Sequence, residues 1–289
     1  MRSKLKVKRI RTRYWIPGED YAKNIAESIK SHVDEGDFVV VSEKAISTAK
    51  GYIIDERKIK PGIIAKLLAR IWMRFVWGRF LGRLCNLQSD AIEHLKNYPL
   101  IEGAYHKQLA IRTSTILQSL KHGSEGGIDL SNLPYAYACL PLKDPERIAE
   151  QIQLEILKTT SKPTTVIISD TDSTFTYRNI HFTAHPNPIQ GIFSLGGFLT
   201  FVIGRFFKLK QRATPNAVNG IELQIEDSLR LAELAHRARG SGAGRTIWDV
   251  AKRFDVGLSE VNWDMMNNVP HYPVVLIRQT KDSGHNELS

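Results

Sequence analysis

Two short polar stretches of the chain carry residue types that bind metal ions. In residues 125–132 (EGGIDLSN), Asp129 and Asn132 follow two glycines, which let the backbone approach a ligand closely. In residues 169–173 (SDTDS), Asp170 comes at the end of an apolar run that predicts a strand. Oxygen ligands suit hard cations such as Mg²⁺ or Mn²⁺, and mixed folds present ligands at strand ends. The stretches indicate a cation site, with ordinary hydrogen-bonded turns as the alternative for each.

Other chemical motifs are weaker. Residues 240–246 (GSGAGRT) lack the lysine of a phosphate-binding loop and follow a predicted helix, so we interpret them as a helix-ending loop whose backbone amides could bind an anion. The nine histidines show no paired metal spacing, and the sequence contains no recognisable nucleophile motif. Catalytic residues are therefore unassigned.

The elements around these stretches predict a mixed α and β fold whose topology the sequence does not reveal. With 289 residues, one large domain or two smaller ones are both plausible. Apolar runs and period-2 alternation predict strands, and period-3.6 patterns predict helices. We predict strands over residues 4–16, 38–41, 165–170 and 271–278, helices over 20–34, 104–120, 144–160 and 222–239, and a loop followed by a strand over 188–204.

Positive charge is concentrated in two segments. The net charge is +10, and residues 1–13 and 56–83 each carry +7, so the remaining residues carry −4. This distribution argues against nucleic-acid binding by the whole surface and favours a local anionic partner: a membrane surface, a polyanionic substrate or a partner chain. Two cysteines are too few for a disulfide framework, and no signal peptide is visible, so we expect a cytoplasmic protein.

Residues 62–84 (GIIAKLLARIWMRFVWGRFLGRL) form a predicted basic amphipathic helix with tryptophans. This pattern is typical of helices that lie in a membrane interface. The charges are too closely spaced for a transmembrane span. The alternative is a helix whose apolar face packs within the protein or against a partner subunit.

Four motifs follow one another along the chain. The first includes Gly36, Asp37, Ser42, Lys44, Ser47, Ala49 and Gly51; the second His122, Gly123, Gly127, Ile128, Asp129, Ser131 and Asn132; the third Leu140, Pro141, Asp144 and Pro145; and the fourth residues 166–171 (VIISDT). In this order they resemble the motifs of the coenzyme F420-0:gamma-glutamyl ligases, a family of GTP-dependent enzymes that attach L-glutamate to a deazaflavin coenzyme precursor. The resemblance covers roughly residues 35–55 and 104–278.

The resemblance implies roles for the matching residues. The metal, Mg²⁺ or Mn²⁺, would be held by Asp129, Asp170 and Thr171. The nucleotide GTP would contact Asn132 and the three residues Ser42, Glu43 and Lys44. A substrate carboxylate would be activated as an acyl phosphate and then captured by the amine of glutamate. The family also implies a homodimer and a two-domain architecture, so we expect residues 1–289 to form one ligase-like region of two intertwined subdomains.

The chain departs from the family in three places, the first of which is at Thr48 and Lys50, where the family has lysine and glutamate. Where the family continues G-R-P-W-R after S-D-T, this chain has residues 172–178 (DSTFTYR), and residues 56–100 form a basic, aromatic helical insertion outside the family pattern. These departures leave two alternatives open. One is a paralogue that joins a different acid and amine, and the other is a non-catalytic protein bound to the membrane periphery through residues 62–84.

Overall fold

The fold is built around a mixed β-sheet, seen in a computed structural model that describes residues 4–134 and 136–280. The sheet strands are β1 (Lys4–Thr12), β2 (Phe38–Ser42), β5 (Thr165–Tyr177), β6 (Ile180–Thr183), β7 (Ile192–Ser194), β8 (Lys210–Asn219) and β9 (His271–Thr280). Their order is β1-β9-β2-β5-β6-β7, and β8 also pairs with β5. Two short strands, β3 (Ile53–Asp55) and β4 (Tyr137–Cys139), form a separate antiparallel pair.

Helices cover both faces of the sheet. Side chains alternate between the faces of a strand, so Val39 and Val41 of β2 pack against one helical layer, formed by α1 (Tyr21–Ile29) and α8 (Pro145–Thr160). The intervening Val40 packs against α10 (Ile225–Arg239) on the other face. This layered arrangement confirms the mixed α and β class and explains why β2 is apolar at nearly every position.

A helical region packs at the β6 and β7 side of the sheet. Residues 63–84 form one continuous helical run: α3 (Ile63–Leu67), a π-helix (Leu68–Leu81) and α4 (Gly82–Leu84). Met73 and Trp77 of this run, with Leu95, belong to its buried core. The remaining helices are α2 (Glu43–Ala49), α5 (Ser89–Lys96), α6 (Leu100–Thr113), α7 (Ile116–Ser119), α9 (Gly197–Phe206), α11 (Ile247–Phe254) and α12 (Trp263–Asn267). The division into two subdomains with a 56–100 insertion stays a prediction.

Two predicted elements were wrong in part. The helix predicted over residues 104–120 is broken at Ser114, whose φ of −136° and ψ of −140° are not helical, so α6 ends and the short α7 follows. The loop and strand predicted over 188–204 are present only in the first part of this segment, where β7 (Ile192–Ser194) forms, and α9 follows from Gly197. Its first residue, Gly197, packs so closely that a Cβ atom there would lie 1.9 Å from Oε1 of Gln118. The glycine therefore permits helix packing rather than breaking a helix.

The strand predicted to end at Asp170 continues to Tyr177, so residues 169–173 are not a turn. The pairing of β5 with β8 shifts between Asp170 and Ser173, which is a bulge. Bulges re-aim side chains and are common beside functional sites. The strands predicted over 38–41 and 271–278 and the helices over 144–160 and 222–239 are confirmed, whereas those over 4–16 and 20–34 end early, at Thr12 and Ile29.

Candidate functional site

The candidate site lies where β2 and β5 run side by side. These strands are parallel, with Ser42 opposite Ser169, so the residues that follow them emerge at the same edge of the sheet. Helix α2 begins directly after Ser42, and this change of direction brings Glu43 towards Asp170. The edge at the carboxyl ends of parallel strands is where such sheets present ligands. Glu43, from the predicted nucleotide-binding residues, and Asp170, from the predicted metal ligands, are thereby brought together.

Glu43, Asp170 and His185 form a compact cluster at this edge. One potential ligand atom of each lies within 4.8 Å of those of the other two. Oε2 of Glu43 is 3.0 Å from Nε2 of His185 and accepts a hydrogen bond of 2.5 Å from Nδ2 of Asn216. Glu43 and His185 are buried, and Asp170 is half-buried. Two carboxylates and an imidazole at this spacing are a donor set that divalent metals bind.

The electrostatics of the cluster are set by burial and by the contact between Glu43 and His185. Burial raises the pKa of the Asp170 carboxyl; the nearby His185 opposes this rise, and the Glu43 carboxylate adds to it. Burial opposes charge on His185, but Glu43, with Asp170 and Asp172, outweighs it and raises the pKa of the imidazole to about 9. Among the buried oxygens of the described residues that have no hydrogen-bond partner are Oδ2 of Asp172 and Oδ1 of Asn216. A cation bound by Glu43 and Asp170 would lower the cost of gathering their carboxylates, and His185 would have to lose its proton to become a ligand.

Asp129 occupies a separate position, held by Lys44 and Ser131. Its Oδ2 accepts a 2.6 Å hydrogen bond from Nζ of Lys44, and its Oδ1 accepts from the backbone N of Ser131 at 2.7 Å and from its Oγ at 2.8 Å. Burial opposes ionisation of Asp129, but Lys44 and the hydrogen bonds from Ser131 together outweigh it and lower the pKa of the carboxyl. Asp129, a predicted metal ligand, is therefore hydrogen-bonded to Lys44, a predicted nucleotide-binding residue.

Asn132 holds the glycine-rich loop of residues 240–245. Its Oδ1 accepts a 2.6 Å hydrogen bond from the backbone N of Ala243. Its Nδ2 donates to the backbone oxygens of Gly244, at 2.8 Å, and Ser241, at 3.2 Å. The loop follows the end of α10 at Gly240, as predicted. Asn132 thus fixes the loop backbone, a connection between distant segments that the sequence does not reveal.

A cavity of about 490 Å³, the loop cavity, lies between the sheet edge and this loop. Of the predicted site residues, Ser42, Lys44, Asn132 and Thr171 line it. Positive charge comes from arginines of α10 and the loop. Burial lowers the pKa of the Arg239 guanidinium to about 10, so it stays charged at neutral pH. The arginines that line the loop cavity are Arg237, Arg239 and Arg245.

A second cavity of about 450 Å³, the apolar cavity, adjoins the first. Ser131, Thr171 and Arg245 line both. Asp129 and Asp172 line the apolar cavity on the side of the sheet. The helical region supplies much of the remaining wall, which combines polar residues such as His94, Glu102 and His106 with apolar and aromatic ones: Met73, Leu95, Tyr98, Phe201 and Trp248.

The predicted residues are thus only partly in one place. Thr171 lies at the junction of the two cavities and Asp129 lines the apolar cavity, whereas Glu43 and Asp170 line neither and belong to the buried cluster with His185. His185 and Asn216 were not predicted, because neither lies in a motif. Also missed was the ion pair between Lys121 and Asp172, which spans 3.0 Å. The roles of these residues in binding stay predictions.

Acidic side chains and a glycine-rich loop that converge on two adjoining cavities are typical of an enzyme acting on small molecules, rather than of a macromolecular interface. The chain belongs to the F420-0:gamma-glutamyl ligase family, whose family model matches residues 9–193.

Individual relatives differ in how much of the chain they match. An uncharacterized protein of Methanocaldococcus jannaschii is 34% identical over 281 residues, which are 93% of this chain and 94% of that protein. The coenzyme F420:L-glutamate ligase of the same organism is 31% identical over 151 residues, 51% of this chain and 53% of the ligase. The corresponding ligase of Archaeoglobus fulgidus is 29% identical over 159 residues, 54% of this chain and 55% of the ligase. The chain spans about half the length of these two ligases.

Proposed function

We propose that this protein is an acid–amino-acid ligase that joins the amine of L-glutamate to the carboxylate of coenzyme F420-0 or of a related acid, with GTP as the phosphoryl donor and Mg²⁺ or Mn²⁺ as the metal. Membership of the ligase family supports the reaction class. The observation that carries the proposal is the junction of the two cavities. There Ser131, Thr171 and Arg245 line both a cationic cavity beside a glycine-rich loop and an apolar cavity, and Asp129 lines the apolar one.

The loop cavity is the proposed nucleotide site. Backbone amides of a glycine-rich loop bind phosphate oxygens, and Asn132 holds this loop through its contacts to Ala243 and Gly244. Lys44 and Arg245 line the same cavity and would neutralise phosphate charge. The adjoining apolar cavity would receive the body of the acceptor acid, because its helical walls suit a ring system better than a free phosphate.

Asp129, Asp170 and Thr171 would hold the divalent cation, with Glu43 and His185 as buried groups beside Asp170. A divalent cation supplies charge neutralisation and positioning, which are the main requirements of phosphoryl transfer. Lys44, bonded to Asp129 at 2.6 Å, would orient that carboxylate or move towards the phosphates of the nucleotide.

The reaction needs two steps. An oxygen of the acceptor carboxylate attacks the γ-phosphorus, the bond from phosphorus to the bridging oxygen breaks, and GDP leaves. The neutral amine of glutamate then attacks the acyl carbon, the bond from that carbon to the phosphate oxygen breaks, inorganic phosphate leaves, and the amine loses a proton. The role of the protein is to hold the reactants at the cavity junction and to exclude water from the acyl phosphate.

A different acceptor is the second candidate. The relative that matches nearly the whole chain is uncharacterized, and the named ligases match only about half of it. Residues 172–178 also depart from the family where β5 passes the apolar cavity, with Asp172 and Phe175 in its wall. Both observations favour a ligase that uses another acid and amine pair. The homodimer expected from the family belongs to the proposal as well.

Calorimetric titration with GTP and with ATP, each with Mn²⁺, tests the proposal directly. We expect metal-dependent binding of GTP by the wild type and at least a tenfold loss in Asp170→Asn. Asp227→Asn is the matched control, because Asp227 is an exposed aspartate of α10 outside both cavities. Folded wild type that binds neither nucleotide would contradict the proposal. Binding with no turnover of F420-0 and glutamate would support a different acceptor.

A further inference from the structure

The helical run of residues 63–84 exposes an apolar stripe. Within this part of the described chain, the exposed fractions of Ile63 and Phe80 are 77% and 70%, and those of Leu67, Ile71 and Phe75 are about half (49%, 51% and 48%). Helices of soluble proteins normally bury such a stripe. Here the helix buries a different face, which includes Ala65, Ala69, Met73 and Trp77.

A basic stripe runs directly beside the apolar one. Each exposed large apolar residue of the run from Leu67 onwards follows a cation in the sequence: Lys66–Leu67, Arg70–Ile71, Arg74–Phe75, Arg79–Phe80 and Arg83–Leu84. The pairs recur every four or five residues. Because the i→i+5 hydrogen bonds of the π-helix give more residues per turn than an α-helix has, this spacing keeps the pairs on one side of the helix. Residues 57–89 contain no acidic residue, so no carboxylate of this segment neutralises the stripe.

The neighbouring helix α9 continues this surface. Nε of Arg205 donates to the backbone oxygen of Cys85 at 2.9 Å, and its Nη2 donates to that of Asn86 at 2.7 Å. These contacts hold the end of α9 beside the end of the 63–84 run. The next two residues, Phe206 and Phe207, are 49% and 64% exposed.

We infer that residues 63–84 form a docking surface for a membrane that contains anionic lipids. Paired cations and apolar side chains match the two parts of a bilayer interface, since the cations contact lipid phosphates while the apolar groups enter the acyl region. Within the described residues no helix is long and apolar enough to cross a bilayer, so the contact is peripheral.

A second copy of this chain fits the surface less well. In a two-fold dimer the same patch lies on both subunits, so the arginines of one stripe would face those of the other with no acidic residue between 57 and 89 to pair with them. Charge complementarity therefore favours an anionic surface over self-association.

Vesicle flotation with the full chain tests this inference. The probes are phosphatidylcholine vesicles with and without about one third phosphatidylserine. We expect binding to the anionic vesicles and a drop of at least about 30-fold in partitioning for the double variant Arg70→Glu, Arg83→Glu, since each cation contributes about a factor of five. Arg74 is left unchanged because its Nε donates to the backbone oxygen of Tyr98 at 2.8 Å.

Two further variants separate the competing explanations. Lys6→Glu, Lys8→Glu reverses two exposed charges of β1, and we expect it to retain most of the binding. Phe80→Ser removes an exposed apolar side chain and should weaken binding several-fold with little effect on thermal stability. No binding by the wild type, or equal binding by the Arg70, Arg83 variant, would overturn the inference. A dimer in sedimentation velocity that Phe80→Ser dissociates would assign the surface to a second copy instead.

Discussion

Replacing His106 by glutamine should destabilise the protein strongly at neutral pH and much less near pH 10. His106 is buried between two carboxylates: its Nδ1 lies 2.7 Å from Oε1 of Glu56, and its Nε2 lies 2.7 Å from Oε2 of Glu125. Nζ of Lys107 donates to the other oxygen of Glu125 at 2.5 Å. Both ring nitrogens face acceptors, which requires a doubly protonated imidazolium when the carboxylates are ionised.

The magnitude follows from the pKa of His106. Burial opposes its charge, but Glu125 and Glu56 outweigh burial and raise the pKa from 6.5 to about 10. Such a rise corresponds to roughly 5 kcal/mol of stabilisation. Because the folded-state pKa is the higher one, this stabilisation is fully present below pH 6.5 and is lost as the pH rises towards about 10.

Urea unfolding of wild type and His106→Gln, followed by tryptophan fluorescence at several pH values, measures the effect. We expect a difference in unfolding free energy of about 3–5 kcal/mol near pH 6, where the variant leaves two buried carboxylates short of a partner, and a decline to about 1–2 kcal/mol by pH 9. His32→Gln is the control, because His32 is exposed. A difference that stays constant from pH 6 to pH 9 would refute an imidazolium at His106.

Two further predictions concern packing and capping. Gly204→Ala should lower the melting temperature by several degrees, because the new Cβ would lie 2.3 Å from Cδ1 of Phe175. Overpacking of this kind costs about 1–3 kcal/mol. An unchanged melting temperature in a thermal scan would contradict the prediction, because it would mean that the Phe175 ring moves aside freely. Thr246→Ala should lower the free energy of unfolding in urea by about 1 kcal/mol, because it removes the hydroxyl that accepts a hydrogen bond from the backbone N of Asp249 and so caps α11. Thr246→Ser should keep this cap. An equal loss of stability in both variants would contradict the capping role of the hydroxyl.

Patterns within a single segment were enough to predict four of the seven strands of the sheet, whereas β6 and β8 were not predicted. The apolar run of β2 and the Asp-Pro start of α8 are local signals, and both elements were found where they were expected. The failures came where tertiary contacts override such signals. Gly196 and Gly197 favour the loop and strand predicted over 188–204, but the absence of a side chain at Gly197 is what lets α9 pack against Gln118. No local pattern distinguishes these two uses of a glycine.

The candidate site was predictable only as far as its motifs extend. Asp129 and Asp170 were visible because each lies in a polar stretch with oxygen ligands. His185 and Asn216 were not, because they reach Glu43 from segments far along the chain. The same limit applies to Asn132, whose partners in the 240–245 loop were read separately as a helix-ending loop. Site residues that come together only through long-range contacts cannot be recognised from the pattern of any single segment.

In the helical run of residues 63–84, the spacing of the buried residues is wider than the period of a regular α-helix. Its buried residues Ala65, Ala69, Met73 and Trp77 recur every four residues, a spacing that would drift around a regular α-helix with about 3.6 residues per turn. The wider π-helix holds this face inward and leaves the paired cations and apolar residues outward. Met73 reaches the apolar cavity from the buried face, so the run that we propose binds a membrane is also a wall of the proposed acceptor site. A change that tilts this helix should therefore alter both lipid binding and acceptor binding, whereas Phe80→Ser, on the outer face, should alter lipid binding alone.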